Sequence, residues 1–168
     1  MKNNLTLIRG GHAHSNTSMF TGATVWDTDA GASSSILADG LGKARDKWLN
    51  SVCSRLRELD VLSEGWDGYG APAIENPTIS FTAILLYAVW QEALALPMPA
   101  ITPMSDGSIM VEWRSGTHEL TTEVSGPNCV HVFLEDLGSE VVEEFQTTSD
   151  FKKVSDALEK CIRLQAVA

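Results

Sequence analysis

The chain has 168 residues, 43% of them apolar, and a formal net charge of −10, so it is long enough to build one well-packed domain. The negative charge argues against a nucleic-acid surface, which needs a patch rich in Lys and Arg. It is compatible with a basic protein partner, and equally with a charge that only keeps the chain in solution.

The first part of the chain, residues 1–34, is rich in Gly, Ser, Thr, Asn and Ala and keeps no helical or strand period. This composition predicts a flexible tail. Phe20 and Trp26 interrupt it, and we expect them to act as docking anchors for a partner. The alternative is that both rings pack non-specifically on the domain. No apolar stretch typical of a signal peptide opens the chain, which favours a cytoplasmic protein.

Cysteine spacing and apolar run length bear on the compartment. The three cysteines are widely spaced and form no CxxC pair, which is unlike a disulfide framework or a zinc site. Each lies in an apolar pattern, so we expect buried free thiols in a reducing compartment. The longest apolar run, from Ala83 to Trp90, is too short to span a bilayer. The cysteines are Cys53, Cys129 and Cys161.

Two helices are predicted before any long strand. From about Ser35 to Leu62 apolar residues recur at a helical period, and Lys and Arg occupy much of the remaining surface. A second helix is predicted from about Pro77 to Leu96, with Asn76 and Pro77 as its start signal. Its centre is apolar all round, so we expect it to be buried on several sides.

Short strands follow the second helix. The segment from Ala100 to Met104 contains a proline, which favours a sheet edge. Asp106-Gly107 predicts a tight hairpin, and the alternating segments after it predict an antiparallel meander of four to five strands that ends with residues 141–147. A last helix is predicted from about residue 149. This order predicts a single α+β domain over residues 35–168, with the two N-terminal helices and the C-terminal helix packed on the same face of the sheet.

The segment SEGWDGYGAP, residues 63–72, connects the two predicted helices. Its glycines permit left-handed backbone, and Asp67 can close a turn through its own carboxylate. In one interpretation Trp66 and Tyr69 plug the end of the core between the helices. In the other they are exposed and bind a partner, with Asp67 as a directional hydrogen-bond acceptor.

This loop is also part of a longer pattern. The segments GWDGYGAPAIENP, PAITPMSDGSIMVEW and HELTTEV resemble a pattern found in many small bacterial proteins without assigned function. The resemblance covers about residues 60–125, and its most specific part is the Trp-Asp-Gly unit followed later by the Asp-Gly hairpin. It implies a shared fold and a bacterial or phage setting, and it implies no reaction.

The most informative charge feature is regional. Between Glu112 and Thr148 the chain has eight acidic residues, and Arg114 is its only Lys or Arg. Like charges on adjacent strands repel each other, and a cationic partner would relieve that repulsion. The alternative is that the charges only protect the strands against aggregation. The acidic residues that we expect to bind the partner are Glu112, Glu119, Glu123, Glu140, Glu143 and Glu144.

Catalytic chemistry has less support in the sequence. No G-x-S-x-G elbow, phosphate-binding loop, dinucleotide fingerprint or H-E-x-x-H motif is present. His118 and His131 fall on neighbouring predicted strands, where they can share a face with a glutamate and support acid–base chemistry. His12 and His14 would hold a metal only if further ligands converged on them. We therefore predict no catalytic residue, no metal and no cofactor.

These patterns favour a non-enzymatic acidic protein-binding module, of the antitoxin, immunity-protein or phage anti-defence inhibitor type. It would dock a basic partner through an acidic sheet and the aromatic-bearing tail. Two alternatives stay open: a small hydrolase-like enzyme that uses His118 or His131 with a glutamate, and a structural or assembly subunit. We expect no direct contact with nucleic acid or membrane, and a homo-oligomer stays open.

Overall fold

Helices and strands occupy separate blocks of the chain. The computed structural model describes residues 28–92, 96–139 and 141–164. Within these residues two helices precede five strands, and a third helix follows them. The helices are α1 (Thr28–Asp60), α2 (Asn76–Glu92) and α3 (Phe151–Leu164). The strands are β1 (Ala100–Pro103), β2 (Ile109–Ser115), β3 (His118–Gly126), β4 (Cys129–Asp136) and β5 (Val141–Thr147).

The five strands form one antiparallel sheet in which each strand pairs with the next one along the chain. The connection between β1 and β2 is a tight turn that Asp106 and Gly107 stabilise. Asp106 Oδ1 accepts hydrogen bonds from the backbone N–H and the hydroxyl of Ser108, at 3.0 and 2.7 Å. Gly107 has a φ of 89°, which glycine adopts without steric strain. The predicted α+β class is confirmed, with an antiparallel sheet.

The core lies between one face of the sheet and the helices. Side chains alternate along a strand, and in β2 this brings Ile109, Val111 and Trp113 to the same side, each at most 1% exposed. Helices α2 and α3 contact β2 and β3, and α1 contacts α2 and β1. From α2, Leu85 and Leu86 join the same core. Helices α2 and α3 therefore cover one face of the sheet, and α1 packs against α2 and the edge strand β1.

Two features of the helices differ from the sequence prediction. Helix α1 begins at Thr28, before the predicted start near Ser35, because small and polar residues give no apolar period that would reveal these turns. Helix α2 is not buried all round: Ile84 is 57% exposed and Tyr87 53%. Both lie opposite the sheet, beyond the stripe that packs on it. Among the described residues, no helix combines the length and the apolar character that crossing a bilayer requires.

The prediction that the cysteines are buried is correct for one residue of three. Cys161 is buried in α3, whereas Cys53 and Cys129 are exposed, and all three are free thiols. Cys53 follows the buried Val52 in α1 and lies outside the packed stripe. Cys129 opens β4 on the side of the sheet away from the helices, where an apolar neighbourhood in the sequence does not imply burial.

Thr122 generates a testable prediction, because it is a polar residue inside the core. It is fully buried, and its Oγ1 has no hydrogen-bond partner among the described residues. Thr122→Val keeps the branched shape and removes the unpaired hydroxyl, so we expect the free energy of unfolding to rise by about 1 kcal/mol in urea titrations. The control is Thr121→Val on the other face, for which we expect a change within about 0.5 kcal/mol. Equal effects of the two substitutions would contradict the conclusion that the unpaired Thr122 hydroxyl destabilises the core.

Candidate functional site

The candidate site is the face of the sheet that the helices leave uncovered, which we call the open face. Its residues alternate with the core residues along β2 to β5. Arg114 is the only Lys or Arg between Ala100 and Thr147. Apolar side chains lie among the charged ones, so the face is neither purely polar nor purely hydrophobic. It carries the acidic residues Glu112, Glu119, Glu123, Glu135 and Glu144 and the apolar residues Met110, Phe133 and Val142.

Arg114 and Glu119 form the best-defined contact on the open face. They are directly opposite each other in the β2–β3 register. Arg114 donates from Nε to Glu119 Oε2 at 2.9 Å and from Nη2 to Oε1 at 3.2 Å. A guanidinium that holds both carboxylate oxygens is fixed in orientation as well as in charge. Only 10% of the Glu119 side chain is exposed, against 72% of that of Arg114, so the arginine covers the carboxylate.

Glu112 shares this cluster but has no arginine of its own. Burial raises the pKa of Glu112, and a side-chain hydrogen bond with Glu119 and the charge of Glu119 raise it further, while Arg114 opposes the rise. Burial and a neighbouring like charge both disfavour the ionised form of a carboxyl group. The open face therefore holds more acidic groups than its own cation can neutralise.

The two strand histidines lie on opposite faces of the sheet. His131 is on the open face, directly opposite Glu123, and its ring meets that of Phe133 edge to face at 6.0 Å. His118 pairs with Asp136 on the helix side, and its Nδ1 is 3.3 Å from Thr117 Oγ1. His131 thus shares a face with a glutamate, whereas the two histidines cannot act on the same side of the sheet, because their separation in the β3–β4 register is odd.

The structure brings together most of the predicted acidic residues and separates one. Glu112, Glu119, Glu123 and Glu144 all lie on the open face. Glu143 points to the other side, where Lys160 of α3 donates to its carboxylate, because consecutive strand residues alternate. The predicted residues Phe20, Trp26 and Glu140 lie outside the described residues.

Glu135 belongs to the open face and was not among the predicted site residues. It lies opposite Glu119 in the β3–β4 register. The signal that could have found it is alternation: in β4 it follows His131 and Phe133 at a spacing of two. Three adjacent strands thus contribute acidic side chains that we call the acidic strip: Glu112 on β2, Glu119 on β3 and Glu135 on β4.

The loop of residues 63–72 uses much of its unusual chemistry internally. Asp67 Oδ1 accepts the backbone N–H groups of Tyr69 and Ala71, at 2.8 and 3.0 Å, which confirms the predicted turn. These bonds, Ala71 first, lower the pKa of Asp67. Trp66 is half-buried and donates from Nε1 to the carbonyl of Pro72 at 3.1 Å. Tyr69 is 95% exposed, so the interpretation in which it plugs the core is wrong.

The glycines of this loop adopt the left-handed backbone conformation that the sequence analysis expected. Gly65, Gly68 and Gly70 have φ values of 79°, 79° and 96°, a region that other residues adopt only with strain. The Gly65 N–H donates to the carbonyl of Ala71 at 2.7 Å and closes the loop. The closed backbone presents the Tyr69 ring to solvent.

A groove lies between α2 and α3. It has a volume of about 380 Å³ and an apolar floor that includes Val89, Leu158 and Ile162. On its rim Lys152 donates to Asp156 at 2.7 Å. No three His, Cys, Asp or Glu side chains within the described ranges are grouped so that they could hold a metal ion.

Comparison with known proteins gives no further assignment. The chain matches no protein-family model, and neither the curated proteins nor the solved structures show a significant similarity to it. The resemblance of residues 60–125 to small bacterial proteins stays a prediction.

The Glu112–Glu119 cluster predicts a pH-dependent stability difference. Glutamine at position 112 can donate a hydrogen bond to Glu119 without taking up a proton, so we expect Glu112→Gln to raise the free energy of unfolding by up to about 1 kcal/mol at neutral pH. The folded pKa of Glu112 is the higher one, so the wild type loses stability as pH rises from the ordinary glutamate value, about 4.3, through the raised value. The advantage of glutamine should therefore shrink as the solution is acidified.

The measurement for this cluster is urea denaturation over a series of pH values. Glu123→Gln is the matched control, since it removes the same charge from the same face without the hydrogen bond to Glu119. If the two variants had the same stability profile, the hydrogen bond between Glu112 and Glu119 would be refuted as the cause of the effect.

The Asp67 loop predicts a second stability effect. Asp67→Ala removes the acceptor of two backbone N–H groups, so we expect a lower urea midpoint at neutral pH. Because the folded pKa of Asp67 is lowered, its contribution is present above the ordinary aspartate pKa and is lost as pH falls through the lowered one. Tyr69→Ala, at the exposed position, should leave the midpoint nearly unchanged. A larger effect of the tyrosine substitution would show that the ring, and not the carboxylate, stabilises the loop.

Proposed function

We propose that this chain is a non-enzymatic protein-binding module that docks a basic protein partner on its open face. One observation carries the proposal: five glutamates lie on the uncovered side of the sheet, all but the buried Glu119 at least partly exposed, and Arg114 is the only Lys or Arg of the β region. The module belongs to the functional type of antitoxins, immunity proteins and phage anti-defence inhibitors. A bacterial or phage setting is part of the same proposal.

Electrostatics supports this proposal in two ways. Uncompensated carboxylates on adjacent strands repel one another, and a cationic surface placed over them removes that repulsion. The same field attracts a basic partner from a distance and raises the association rate, most strongly at low salt. Burial first, and then the neighbouring Glu119, raise the pKa of Glu112, and a nearby cation would oppose that rise.

Apolar side chains on the same face provide contact area. Phe133 and Met110 are half-buried in the free chain, and Val142 is 54% exposed. Apolar area removed from water contributes roughly 25 cal/mol per Å², whereas exposed charge pairs contribute little each. In this proposal the glutamates select and steer the partner, and the apolar residues between them prolong the complex. Phe20 and Trp26 of the N-terminal segment are proposed as additional anchors.

Affinity capture from the native host tests the function. The bait variant Glu123→Gln/Glu135→Gln removes two charges from the centre of the open face, and the control Glu64→Gln/Glu75→Gln removes two exposed charges outside the sheet. We expect a basic partner that the control retains and that the open-face variant binds about tenfold more weakly, with further loss as salt is raised. A separate Trp26→Ala bait tests the tail anchor.

The following capture results would contradict the proposed docking of a basic partner on the open face. Equal recovery of the partner by both double variants would remove the open face from the proposal. A captured partner that is acidic, or whose binding is unaffected by salt, would contradict the electrostatic basis. Urea denaturation of all baits ensures that they are folded when compared.

A further inference from the structure

The two edges of the sheet are protected to different degrees. At one edge, β1 has only four residues, ends in Pro103 and contacts α1. Arg55 of α1 donates from Nε to the carbonyl of Ile101 in β1 at 2.8 Å. A short strand, a proline and a covering helix are devices that prevent further strand pairing. The β1 edge is therefore closed by the chain itself.

The other edge has none of these protections among the described residues. Strand β5 has seven residues without proline, and of the described strands it pairs only with β4. In an antiparallel pair alternate residues direct N–H and C=O groups to the neighbour, so the remaining groups of β5 point away from the sheet. Val142, Glu144 and Gln146 on this strand are all exposed. Seven residues are enough to template another strand.

The charges on β5 indicate which kind of strand can pair there. Glu143 and Glu144 occupy the middle of the strand and point to opposite faces. Lys160 of α3 binds Glu143, whereas Glu144 has no ion-pair partner among the described residues. Pairing with β5 of a second copy around its centre would bring glutamates of the two copies opposite or next to each other, which is unfavourable. A basic strand would meet opposite charge in the same place.

We propose that an extended basic segment of a partner protein adds to β5 as a sixth strand. Backbone hydrogen bonds along β5 supply affinity, and a Lys or Arg on the added strand lies beside Glu144 and selects for basic sequences. Val142, on the same face two residues away, packs against the aliphatic stem of the next Lys or Arg of the segment. The proposal rests on the proposed function for the charge of the partner and adds the surface through which it binds.

The test uses the full chain and a defined probe, a capped peptide of alternating lysine and valine. Two control peptides carry N-methyl groups, one on every lysine amide and the other on every valine amide. All three have the same charge, but in any one register one control blocks the amides that face β5 and the other blocks those that face solvent. We expect the two controls to differ about tenfold in dissociation constant. We also expect hydrogen exchange of β5 amides to slow about tenfold when the unmethylated peptide binds.

A charge variant supplies an independent readout. Glu144→Lys should weaken the lysine–valine peptide about tenfold and favour a glutamate–valine peptide instead, while Glu159→Lys, an exposed position on α3, should do neither. Denaturation midpoints of both variants establish that they are folded. Weakening by both variants to the same extent would show that only net charge matters.

Three results would overturn the added strand: two methylated peptides of equal affinity, unchanged exchange in β5, or no binding of the probe at low salt. The outcome also separates the two proposals. Partner capture that depends on Glu123 and Glu135 with unprotected β5 amides would reject the strand and keep the open face. Protected β5 amides, together with partner capture that is unchanged when Glu123 and Glu135 are substituted, would reject the open face and keep the added strand.

Discussion

The two-residue period of strands β2 to β5 is the constraint on which the rest of this structure depends. It brings Ile109, Val111 and Trp113 to the helix side, where they are almost fully buried. The same alternation leaves Glu112 and Arg114 on the other side, so core and open face are two results of one register. A slip of one residue would bury these charges and expose the core, at a cost far above the stability of a domain. The location of the acidic residues is thus fixed by packing on the opposite side of the sheet.

On the open face, the single cation Arg114 does not neutralise all of the glutamates around it. Arg114 grips both oxygens of Glu119, and Glu112 is left to share a hydrogen bond with Glu119 and has a raised pKa. An incoming cation would stabilise the ionised form of Glu112 and so oppose the rise of its pKa. A face that only prevented aggregation would need charges but no such crowding.

The sequence was informative where a regular period is coupled to burial, and less so elsewhere. Alternation along β2 and β3 was sufficient to group Glu112, Glu119 and Glu123, and the structure has them on one face. The consecutive pair Glu143 and Glu144 could not both belong to that face, yet local charge alone suggested that they did. Tertiary packing decided the rest: Lys160 approaches Glu143 from α3, a contact that no local pattern contains.

The loop of residues 63–72 shows a different limit of sequence reasoning. Its residue types suggested either an interior plug or a binding loop, and the structure divides the two roles. Trp66 and Asp67 bond within the loop, whereas Tyr69 is almost wholly exposed. Residue type alone could not separate these roles, because Trp and Tyr have the same apolar body and polar tip. Only the glycine backbone, which determines where each ring points, distinguishes them.

Glu144 connects the open face with the free edge of the sheet. It lies on the open face opposite Phe133, and it also belongs to the edge strand β5. A strand added to β5 would continue the sheet and extend the open face by one strand, so its side chains on that face would stand beside Glu144 and Val142. A basic partner that reached the edge would therefore also be held over the acidic strip, and the two contacts would reinforce each other because a second contact within one complex requires no further loss of translational freedom.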